Sequence, residues 1–158
     1  MWRVADQAQV RCARCRRAPR FLSRARSAGP YEGTLRAAIH ALKYGGRRSL
    51  ACRLAELMRA SGVEILAGAD AVVPVPLHRA RQLARGFNQS ADLARHLHLP
   101  VVPALARTRN TAPQADLPAG RRHANVRAAF AATRVEAWQG ATLVLVDDVT
   151  TTGATLEA

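Results

Sequence analysis

No stretch of about 18 or more apolar residues occurs in this 158-residue sequence, which excludes a hydrophobic membrane-spanning helix. The N-terminus also lacks the apolar segment of a secretory signal, so the expected location is the cytoplasm. Cysteine is limited to Cys12, Cys15 and Cys52, an odd set that suits a reducing compartment better than a disulfide framework. Aromatic residues make up 4% of the chain, leaving few platforms for base stacking. Acidic residues are outnumbered 24 to 11 by basic ones, and the only lysine among those 24 is Lys43. The net charge of +13 points to anionic partners, DNA or RNA among them, but not to a fold. The arginines and the abundant alanine are spread along the chain in a way that also fits a codon-composition bias.

What is present suits one modest α/β domain. At 49% hydrophobic, the chain can bury a single core. Residues 1–30 form a basic tail, with eight arginines and one acid, Asp6, in the first 26 residues. Residues 31–158 form the domain. Leu35, Ile39 and Leu42 recur at helical spacing over 32–44, and Gly45-Gly46 ends that helix. A second helix is expected over 49–60, with Leu50, Leu54, Leu57 and Met58 as its apolar stripe. A strand follows at 71–75, cut short by Pro74 and Pro76. The basic turn His78-Arg79-Ala-Arg81 comes next, then a helix over 88–97. In Arg85-Gly-Phe-Asn-Gln89, Gly86 suggests a backbone constraint, Phe87 a core anchor and Asn88 or Gln89 a helix start. His96 and His98 flank the end of that helix and read as surface histidines.

The most informative segment lies at 142–155. Leu143 to Val146 are apolar and suit a buried parallel strand. Asp147 and Asp148 stand at its carboxyl end, where open α/β sheets bind ligands. Side chains alternate along a strand, so both acids reach one ligand only if the backbone is already turning there. Thr150, Thr151, Thr152, Gly153 and Thr155 supply hydroxyls, amides and a flexible position for an anion nest. A Walker A loop is excluded, because no lysine lies near. Two acids beside a phosphate cradle suit a sugar phosphate: the acids accept from a ribose diol while the loop holds the 5′-phosphate. The alternative is that the acids end a strand and Thr152 or Thr155 caps a helix, with no ligand.

Asp-Asp-Val-Thr-Thr-Thr-Gly-Ala-Thr after an apolar strand resembles the phosphoribosyl pyrophosphate (PRPP) signature of type I phosphoribosyltransferases. Tyr31-Glu-Gly, Leu42-Lys-Tyr-Gly-Gly46, Val73-Pro-Val-Pro-Leu, Arg85-Gly-Phe-Asn-Gln89 and Asn110-Thr-Ala-Pro-Gln114 resemble one branch of that superfamily, the competence protein F (ComF) family. The resemblance implies a mostly parallel twisted sheet flanked by helices. It further implies transfer of phosphoribose from Mg²⁺-bound PRPP to a nitrogenous acceptor, with release of pyrophosphate. Asp147 and Asp148 would hold the ribose hydroxyls near Mg²⁺, and Thr150 to Thr155 the 5′-phosphate. His78, Arg79 and Arg81 would hold pyrophosphate. A long polar segment over 107–124, with Arg109, Gln114 and Arg121, would close as a lid. Lys43 sits in a segment that covers the site in the family. Cys12 and Cys15 match half of a four-cysteine zinc module, and one pair alone makes zinc doubtful. The chain stops at Ala158, so the resemblance implies a fold truncated at its C-terminus, missing its last helix and strands. The competing reading is a non-catalytic competence or DNA-uptake factor that uses the fold to bind a nucleotide, DNA or a protein partner.

Overall fold

The computed structural model describes residues 23–109, 129–150 and 155. Two helices open the described chain, α1 (Gly33–Tyr44) and α2 (Leu50–Ala67). Leu35, Ile39 and Leu42 form the inner face of α1, and Leu42 is fully buried. Burying such a side chain contributes about 1.5–3 kcal/mol. Gly45 follows the end of α1, where its N–H donates to Ala41 O and a Cβ would meet that same oxygen at 2.8 Å.

α2 runs seven residues past its expected end at Ala60, through Gly62. A glycine within a helix costs only about 1 kcal/mol, and Leu66 beyond it packs on the core, so the helix continues. Leu57 departs from the expected stripe: it is 48% exposed, while Leu50, Leu54, Met58 and Leu66 make the core contacts.

Strand β1 (Ala71–Pro74) is followed by α3 (Arg79–Arg85) and α4 (Gln89–Ala94). The expected basic turn is therefore the start of a helix. α4 is shorter than the expected 88–97, and Asn88 caps it, its Oδ1 accepting from Ser90 N at 3.0 Å. Gly86 ends α3 at φ +79°, the left-handed region that glycine adopts freely. Next come β2 (Leu105–Arg107), β3 (Phe130–Ala132), a 3₁₀ turn (Val135–Trp138) and β4 (Leu143–Val146).

β1 pairs in parallel with β4, from Ala71 opposite Leu143 to Pro74 opposite Val146. On its other side Val72 bridges Val101 in parallel, so β1 is central. The period of two along the strands divides the core. Val72, Val144 and Val146 pack toward α1, α2 and α4, while Ala71, Val73, Leu143 and Leu145 pack with Val102, Ala104 and Trp138. The expected α/β architecture is thus observed as a small parallel sheet flanked by helices. One element departs from it: β2 and β3 form an antiparallel ladder, with Thr108 N donating to Ala129 O at 2.9 Å. The long polar segment expected over 107–124 begins on this ladder, and residues 110–128 lie outside the described residues. Among the described residues, no helix is long and apolar enough to cross a membrane.

Candidate functional site at the carboxyl end of the sheet

The parallel pair β1–β4 delivers Val75 and Asp147 to the same end of the sheet, where Val75 N donates to Val146 O at 2.9 Å. Immediately after β4 the chain turns: Asp148 N donates to Asp147 Oδ1 at 2.9 Å, an Asp side chain closing its own turn. That turn meets the condition for both acids to lie together. Ser90 Oγ, fully buried on α4, donates to the same Asp147 Oδ1 at 3.2 Å. Asn88 fixes α4 at this end by donating from Nδ2 to Val75 O at 3.0 Å.

Lys43, from the last turn of α1, places Nζ 2.5 Å from Asp148 Oδ2. The side chains are 17% and 5% exposed, so this is a buried ion pair. Lys43 is also attracted through space to Asp147. Burial lowers the Lys43 pKa, Asp147 partly restores it, and nearby Arg85 lowers it again. Arg85 is itself held over the Tyr44 ring, 5.2 Å from its centroid.

Burial pushes the Asp147 carboxyl up from 3.8 to about 6, against the opposing pull of Lys43, the Ser90 hydroxyl and Arg107. Arg107, at the end of β2, stacks over Phe130 and has its pKa lowered by burial and by Arg81, with Asp147 acting in the other direction. The site therefore gathers two carboxylates with Lys43 and Arg107, and with Arg85 and Arg81 next to those two cations, from four elements. A cavity of about 810 Å³ runs along β4 between the N-terminal segment and the helices to Asp147, Asp148 and Thr150. Ile39, Leu54, Val144 and Val146 are among its apolar wall, and Arg24, Arg26 and Glu64 line it away from the acids.

The sequence-derived candidates divide. Asp147, Asp148 and Lys43 come together, and Arg81 lies near Arg107. His78 does something more local: it caps α3, its Nδ1 accepting from Ala80 N at 3.3 Å, while Arg79 is exposed on the first turn of α3. Thr150 and Arg109 are exposed and Thr155 is half-buried. Thr151, Thr152, Gly153, Gln114, Arg121, Cys12 and Cys15 lie outside the described residues. Among the described residues no three His, Cys, Asp or Glu side chains stand together as a metal site. Sequence reading missed Ser90 and Arg107. Ser90 is 57 residues from its partner, and no local signal marks it.

Comparison with curated proteins decides the family. The chain is 36% identical to the DNA utilization protein YhgH of Escherichia coli K12 over 166 aligned positions, covering 96% of this chain and 70% of that protein. Identity to YhgH of Salmonella typhimurium is 36% over 159 positions, 92% of this chain and 67% of the relative. The chain belongs to the ComF-like family of DNA utilization proteins. Competence protein F of Haemophilus influenzae matches a shorter stretch, 39% identical over 93 positions, 55% of this chain and 41% of that protein. No family model matches the chain, and no solved structure does. The ComF resemblance read from the sequence is thus supported by relatives, while the broader phosphoribosyltransferase relationship rests on the motif at 147–155.

Proposed function

We propose that this ComF-like chain is a DNA-utilisation factor that binds a 5-phosphoribosyl ligand, PRPP with magnesium, at the carboxyl end of β4. The names of the relatives support the first half of this reading. The second half is carried by one observation: Asp147 and Asp148 stand together at the carboxyl end of β4 and line the end of its cavity, with Lys43 paired to Asp148. A ribose diol supplies two O–H donors to such a pair of carboxylates. The exposed Thr150 begins the segment proposed for the 5′-phosphate, and Arg81 with Arg107 lies on the side proposed for pyrophosphate. Two carboxylates are too few for an all-protein magnesium cage, but they suit an ion that arrives on the ligand's phosphates and keeps several waters.

Calorimetry with Mg²⁺ and PRPP tests the proposal, with ribose 5-phosphate as the shorter probe. Asp147→Asn plus Asp148→Asn is expected to weaken binding at least about tenfold, since each lost charged acceptor is worth about 1.5–3 kcal/mol. Absence of binding to the unmodified protein, or equal binding by the double variant, overturns the reading.

A second reading, phosphoribosyl transfer, is favoured by Lys43 and Arg107 at the acids and Arg85 and Arg81 beside them. In it the C1–O bond to pyrophosphate breaks, the bond from C1 to the acceptor nitrogen forms, and the acceptor loses a proton. Lys43, Arg81, Arg85 and Arg107 would stabilise charge gathering on the leaving pyrophosphate. Pyrophosphate release on mixing with candidate bases or amines tests it. Ligand binding without release retains the binding reading and refutes transfer.

A further inference from the structure

Away from Asp147 and Asp148, a second polar assembly has no part in the reading above. Asp92 on α4 is 5% exposed and accepts from two guanidinium groups. Arg48 donates from Nε at 2.6 Å and Nη2 at 2.8 Å, and Arg95 from Nη1 at 2.5 Å. Arg48 is held a second time, with its Cζ 5.2 Å from the centre of the Phe87 ring. Both arginine side chains are more than half exposed, at 55% and 60%. With His96 and Ala51 they line an indentation of about 270 Å³.

The count of donors matters here. Arg48 alone satisfies both oxygens of Asp92, so Arg95 is surplus to burying that carboxylate. Each guanidinium carries five N–H groups, and Asp92 takes two from one and one from the other. Two cations against one anion leave the pair with a residual positive charge. One buried carboxylate thus sets two arginine forks side by side without neutralising them, and their ordering is accomplished before any ligand arrives. Planar forks in this arrangement match the oxygens of a phosphate group.

We propose that Arg48, Arg95 and His96 form a phosphate-group site, separate from the acids at the end of β4, that takes either a free phosphate or the phosphodiester of a nucleic-acid strand. It shares only α4 with the sugar-phosphate site and does not depend on that reading.

The test uses the full chain at fixed ionic strength with two probes, inorganic phosphate and a single-stranded oligonucleotide of roughly 20 nucleotides without terminal phosphates. Arg95→Gln plus His96→Gln removes two exposed donors and leaves the bidentate Arg48–Asp92 pair intact. Arg36→Gln plus Arg53→Gln, also exposed, removes at least as much charge elsewhere. The first pair is expected to weaken binding about tenfold and to flatten its salt dependence, the second to change affinity less than about twofold. A loss for both probes identifies a site that accepts free phosphate. A loss for the oligonucleotide alone identifies the phosphodiester strand. Equal losses from the two pairs, or failure of the unmodified protein to bind either probe, overturn the proposal.

Discussion

Ser90 and Asp147 are joined by a hydroxyl-to-carboxylate hydrogen bond of 3.2 Å that ties α4 to the end of β4 across 57 residues. This bond favours the charged carboxylate and opposes the effect of burial. Ser90→Ala is expected to raise the Asp147 pKa above about 6, read from the carboxyl carbon shift in an NMR titration. An unchanged midpoint would show that the hydroxyl does not stabilise the anion.

Asp147 itself makes stability depend on acidity. Its folded pKa of about 6 exceeds 3.8, so between these values the folded protein binds more protons than the unfolded chain. Stability from this group therefore falls as pH rises from about 4 to about 6, by at most on the order of 3 kcal/mol, and is level above that. Asp147→Asn should flatten that slope in denaturant titrations run across the window. The same slope in variant and parent would assign it to other groups.

Removal of Lys43 leaves Asp148 buried without its cation. Lys43→Met is expected to cost about 3–5 kcal/mol, the penalty for breaking one side of a buried pair. Adding Asp148→Asn to it should recover most of the loss. Chemical denaturation of the four proteins in this cycle gives the coupling, and additive effects would contradict a buried pair.

Gly45 is constrained by approach, with Ala41 O 2.8 Å from where a Cβ would be. Gly86 is constrained by its φ of +79°, with open space around it. Gly86→Ala should cost about 1–2 kcal/mol through backbone conformation alone. Gly45→Ala must also shift the end of α1 that carries Lys43, so it should perturb the Asp147 titration, whereas Gly86→Ala should not. Equal silence in that titration would detach the α1 terminus from the acids.

Elements with a local cause were legible in the sequence. The β4 run and its two acids, the α1 stripe with its glycine stop, and the Gly86-Phe-Asn88 transition all declared themselves by period, cap or backbone demand. Gly62 was no stop signal, because packing of Leu66 outweighs a glycine's helix cost. The β2–β3 ladder escaped because its strands are three residues each, 23 positions apart between Arg107 and Phe130. The Ser90 and Arg107 contributions to the site escaped for the same reason. They depend on tertiary neighbours, and nothing within one turn of either residue announces them.

That short ladder has a consequence for how the chain tolerates change. Because Thr108 and Ala129 are hydrogen-bonded at 2.9 Å, whatever lies between them departs from and returns to one point of the scaffold. Doubling the length of such an excursion adds only about 0.6 kcal/mol of closure entropy. The sheet and its acids are thereby insulated from insertions at this position. A change of length between Thr108 and Ala129 therefore leaves Arg107 in its place near Asp147.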